Sequence, residues 1–69
     1  MNRETIKDFY GKVLGFVDTE ANGDKIARDF YGKIVGRYKK SSNTTYDFYG
    51  KIVARGDAVV GTIYSANNK

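Results

Sequence analysis

Apolar and polar residues alternate in three short stretches, and each stretch follows the same five letters. Asp-Phe-Tyr-Gly-Lys occurs at 8–12, 29–33 and 47–51, followed by Val-Leu-Gly-Phe-Val, Ile-Val-Gly-Arg-Tyr and Ile-Val-Ala-Arg. A period of two predicts strands. On that period Val13, Gly15 and Val17 share one face, as do Ile34, Gly36 and Tyr38, and then Ile52 and Ala54. The other face takes Lys12, Leu14 and Phe16, then Lys33, Val35 and Arg37, then Lys51, Val53 and Arg55. Ile, Val, Thr and Tyr enrich these stretches and Pro is absent, as strands favour.

Asp-Phe-Tyr-Gly has the chemistry of a type I turn ending in a left-handed glycine. The Asp carboxylate can accept a bond from the amide two residues on, and Gly supplies φ > 0. The pairs Asp8 and Gly11, Asp29 and Gly32, and Asp47 and Gly50 therefore mark three hairpin tips. A fourth, degenerate copy is read in Ala58–Tyr64, where Val59, Val60 and Gly61 match Ile34, Val35 and Gly36. Gly56-Asp57 would be its two-residue loop. Asn22-Gly23 reads as another turn; the acidic stretch around it matches a calcium loop poorly, with Lys25 in an apolar position and no flanking helices.

The sequence thus predicts one all-β domain over 1–69: a small antiparallel hairpin-repeat fold of about seven strands and no helix. Its units fall at about 4–17, 24–39 and 44–56, with a degenerate one at 57–64 and a flexible tail at 65–69. A small residue at the middle of each repeated strand (Gly15, Gly36, Ala54) predicts close backbone approach, and four copies suggest a pseudo-fourfold arrangement. Here the chain resembles the four-fold β-flower family, whose hairpins repeat Y-D-x-x-G-[KR]-x-x-[GA]-R-[IVY]. Residues 46–55, Tyr-Asp-Phe-Tyr-Gly-Lys-Ile-Val-Ala-Arg, fit best, and the likeness spans roughly 5–64. The chain departs from the family in placing Phe-Tyr where polar turn residues are usual, and in its truncated fourth turn. The resemblance implies a fold and no activity.

Composition narrows the function. Sixty-nine residues give a thin core, and with no Cys there is no disulfide to reinforce it, so self-association into a homo-oligomer is expected. The absence of His removes the commonest general base, and Asp8, Asp29 and Asp47 are accounted for by turns. The chain is read as non-enzymatic, without cofactor or metal. No apolar run marks a signal peptide or a membrane span, so a cytoplasmic protein without a membrane partner is expected.

Twelve Lys and Arg against eight Asp and Glu give a net charge of +4, compatible with anionic partners. The first reading is a protein-interaction or assembly module, with the tip aromatics as core or interface. The alternative is a binder of nucleic acid or a small nucleotide anion. It would use Tyr10, Tyr31 and Tyr49 with Lys12, Lys33, Lys51, Arg37 and Arg55, since cations among aromatics on a β surface suit single strands.

Overall fold

The computed structural model describes residues 2–67. Six strands form one antiparallel sheet in sequence order: β1 (Asn2–Lys7), β2 (Val13–Thr19), β3 (Lys25–Asp29), β4 (Ile34–Lys39), β5 (Thr44–Asp47) and β6 (Ile52–Arg55). One helix, α1 (Val59–Asn67), lies across β2 to β5 on one side of the sheet. The other side has no covering layer among the described residues.

Each Asp-Phe-Tyr-Gly-Lys closes a hairpin by the same set of bonds. In the first, the Gly11 amide donates to the Asp8 carbonyl (3.0 Å) and the Asp8 amide to the Lys12 carbonyl (2.9 Å). One Asp8 carboxylate oxygen accepts from the amides of Tyr10 and Lys12, at 2.8 and 2.9 Å. Asp29 and Asp47 repeat this arrangement, and Gly11, Gly32 and Gly50 hold φ of 82°, 85° and 83°. At the opposite end of the sheet, Glu20–Asp24 closes β2 to β3 with the same backbone pairing.

Every repeated strand also carries a bulge just beyond its turn. Ile6 pairs with Gly15 and Lys7 with Val13, leaving Leu14 extra; Val35 and Val53 are extra in the same way in β4 and β6. A bulge breaks the alternation of faces. Leu14, Val35 and Val53 consequently turn to the helix side: Leu14 is buried in the core, Val35 packs on it, and Val53 lines a groove with Thr62, Ser65 and Ala66. Strict alternation had placed them with the lysines and arginines.

The expected seventh strand is the helix, so Gly56-Asp57 is no hairpin loop, the degenerate fourth hairpin at 57–64 is not formed, and a fourfold arrangement loses its fourth unit. Residues 65–67, expected in a tail, complete α1; residues 68 and 69 lie outside the described residues. The cause is packing. A single sheet needs a second layer over its apolar face, and Val59, Thr62, Ile63 and Ala66 recur at i, i+3, i+4 and i+7, a helical spacing. Val59 and Ile63 are fully buried against Ile6, Leu14, Val17 and Ala27. The small strand residues make room for this helix. A Cβ at Gly36 would sit 2.5 Å from Thr62 Oγ1, and one at Gly15 would sit 3.0 Å from Ile63 Cγ2 and 2.1 Å from the Arg28 carbonyl oxygen.

Both ends of the helix are tied down. Asp57 Oδ1 accepts from the Val59 amide at 3.3 Å, and Asp57 also pairs with Lys25 on the sheet. Asn67 Nδ2 donates to the Ile63 carbonyl (2.9 Å) and the Leu14 carbonyl (3.3 Å). Thr45, wholly buried, bridges strand to helix: its Oγ1 donates to the Gly56 carbonyl at 2.7 Å and accepts from the Ala58 amide at 2.9 Å. Thr45→Val keeps the shape but leaves both backbone groups unpaired, so chemical denaturation should show a loss of about 2 kcal/mol.

Candidate functional site: the open face and the hairpin tips

The strand register sorts the charges by side. Gly15, Ala27, Gly36 and Thr45 face α1; one residue along from them, the opposite face takes Phe16, Arg28, Arg37 and Tyr46, paired Phe16 to Arg28 and Arg37 to Tyr46. Following the ladder outward adds Arg3, Lys7, Ile26, Lys39 and Arg55 to this open face. Among the described residues its one strand carboxylate is Asp18, whereas Glu4, Asp29 and Asp47 fall on the helix side by register. The basic excess of the chain is therefore concentrated on the uncovered side of the sheet.

Asp18 does not offset that field freely. It is 3 % exposed although it lies on the open face, because Arg3 and Arg28 close over it. Arg3 forms a two-pronged pair, Nε to Oδ1 at 2.6 Å and Nη2 to Oδ2 at 2.9 Å, and its guanidinium lies 5.0 Å from the centre of the Phe16 ring. Arg28 Nε reaches Oδ2 at 3.1 Å. The Arg3 hydrogen bond lowers the Asp18 carboxyl to about 2, against the upward push of burial.

A carboxyl lowered in the folded state stabilises it above the unfolded value near 4 and loses that contribution as pH falls through about 2. The contribution is about 1–2 kcal/mol, since water screens the half-exposed Arg3. Thermal melts should show the wild type losing this increment between about pH 4 and 2. Asp18→Asn should start lower and lack that step.

Arg37, Lys39 and Arg55 form no ion pair among the described residues. A shallow groove of about 450 Å³ on the open face is lined by Ile34, Arg37, Lys39, Tyr46, Asp47, Phe48, Tyr49 and Gly50. It joins two cations and the turn carboxylate of Asp47 to three aromatic rings. Of the residues proposed from sequence, it brings Arg37 and Tyr49 together. Arg55 shares the face, across from Thr44 in the ladder. Lys12, Lys33 and Lys51 do not join them, because the bulges reverse the phase between each lysine and the residue four places on, Phe16, Arg37 or Arg55. Lys33 instead lines the groove on the helix side, its Nζ 5.4 Å from the centre of the Phe48 ring. Sequence reasoning missed Tyr46, Lys39, Phe16 and the Asp18 cluster, all of which depend on knowing the cross-strand register.

The tip aromatics stand away from the body. Tyr10, Tyr31 and Tyr49 are 86–89 % exposed and Phe9 is 95 % exposed, while Phe30 and Phe48 are slightly over half exposed. Within each tip the two rings meet edge to face, with centroids 5.2 to 5.5 Å apart. Phe48 reaches the neighbouring hairpin at Lys33, and none of the six rings belongs to the buried core.

No family model matches this chain, and no curated protein or solved structure matches it. Among the described residues, no helix is long and apolar enough to cross a membrane.

Proposed function

We propose that the chain is a non-enzymatic binding module that takes single-stranded nucleic acid on its open sheet face. The observation that carries this reading is the sorting of charge, with Arg3, Lys7, Arg28, Arg37, Lys39 and Arg55 on one face against the capped Asp18 and, at the edge of the groove, Asp47. A field of one sign draws in a polyanion. Phe16 and Tyr46 lie within it, and aromatic rings on a basic sheet stack bases without regard to sequence. Arg37 and Lys39 suit phosphates flanking a base on Tyr46. The groove is shallow and open, suited to a strand running across it.

The reading as an assembly module keeps the tips as its surface. The sorting of charge puts nucleic acid ahead of it, because self-association alone gives no reason to gather the cations on the uncovered face. The test is a fluorescence-anisotropy titration of an end-labelled oligothymidine at several salt concentrations. Contact with about four phosphates gives a log–log salt slope near −3. Binding indifferent to salt, or none at low salt, removes this reading.

A further inference from the structure

We propose that the three hairpin tips dock edge-on into the interface of an anionic lipid bilayer. β1–β2, β3–β4 and β5–β6 all turn at the same end of the sheet, so the tips form a row. Neighbouring tips lie two strands apart, about 10 Å. Each presents a Phe and a Tyr whose rings pack on one another and leave their outer surfaces in water. Exposed apolar surface gathered in this way marks a contact.

The order of chemistry at each tip suits a lipid interface. Phe is wholly apolar, Tyr is amphipathic and favours the headgroup level, and a Lys follows directly behind the turn glycine at Lys12, Lys33 and Lys51. Lysines held there would meet acidic headgroups, each adding attraction. The carboxylates of Asp8, Asp29 and Asp47 already accept two backbone amides each, which lowers the polar cost of bringing the turn to the interface. Shape favours lipid over a second copy of the chain. Three separate convex tips need three matching sockets on a protein surface, whereas a bilayer yields around each.

The expectation of no membrane partner came from the lack of a spanning segment, which edge-on docking does not need. The contact shares Phe48 and Tyr49 with the open-face groove, whereas the first two tips lie outside that groove, so substitutions there separate it from nucleic-acid binding.

The test is co-sedimentation with large vesicles of phosphatidylcholine, with and without phosphatidylserine. The wild type should sediment with the acidic vesicles and more weakly with the neutral ones. Phe9→Ser with Phe30→Ser, both outside the open-face groove, should lower partition at least about tenfold while leaving the thermal melt and oligothymidine affinity unchanged. The proposal is overturned if the wild type fails to sediment with acidic vesicles. It is equally overturned if the Phe variant binds them as the wild type does, which would make the contact electrostatic through the open face. A dimer that these Phe substitutions dissociate, without vesicle binding, would assign the tips to a second copy.

Discussion

Gly36→Val should destabilise the fold by about 2–3 kcal/mol, lowering the melting temperature by roughly 10–20 °C. For a chain this short, that is a large part of the whole stability. The added Cβ would lie 2.5 Å from Thr62 Oγ1 and 2.7 Å from Thr62 Cβ and Cγ2, closer than packed atoms approach. Thr62 cannot simply swing aside. It is 7 % exposed, and its hydroxyl is held at 2.6 Å by the Val59 carbonyl. The helix must lift, uncovering Val59 and Ile63.

Two companions identify the cause. In a Thr62→Ala background the cost of Gly36→Val should shrink by at least about 0.5 kcal/mol, the coupling expected of residues in contact. Gly61→Ala, where a Cβ meets open space, should stabilise by up to about 1 kcal/mol because it replaces glycine inside a helix. A neutral Gly36→Val would remove the account of how sheet and helix pack. An equal cost in both backgrounds would place the clash elsewhere.

The second large effect concerns the open face. Arg37→Gln with Arg55→Gln should weaken oligothymidine binding at least about tenfold and flatten the log–log salt slope by about 1.4, the share of two phosphate contacts. Tyr46→Ala should cost about 1–3 kcal/mol of binding with the slope unchanged, because stacking releases no counterions. Replacing Lys12, Lys33 and Lys51 by Gln should change both quantities less than the arginine pair does. The bulges place those lysines on the helix side, away from Arg37 and Arg55. If the lysines dominate instead, the nucleic acid follows the tips and the assignment of faces for binding is wrong.

What could be read from the chain alone was local. The turn at Asp8–Lys12 closes through bonds spanning no more than four residues, so five letters contain its chemistry. The hairpins and their order followed from three such turns. The helix was harder, because Val59, Val60, Thr62 and Ile63 are β-branched and their likeness to the repeated strands pointed to another strand. The spacing of Val59, Thr62, Ile63 and Ala66 carried the contrary signal. Deciding between them takes a trough assembled from three strands, with Gly15 from β2, Ala27 from β3 and Gly36 from β4.

The bulges were illegible for a related reason. Leu14 is extra only relative to β1, so its facing is a property of the pair of strands. That displacement separates the lysines from the arginines, and strict alternation merged them. Asp18 met the same obstacle, since Arg3 is fifteen residues away and Arg28 ten. Their convergence appears only once β1, β2 and β3 are in register.

The most direct measurement is a two-dimensional amide NMR titration of isotope-labelled protein with oligothymidine at low salt. Binding on the open face predicts shifts gathered at Phe16, Arg28, Arg37, Tyr46 and Arg55, with Val60 and Tyr64 of α1 unmoved. Shifts gathered on α1 and the helix-side groove, or no shifts at saturating oligonucleotide, would contradict it.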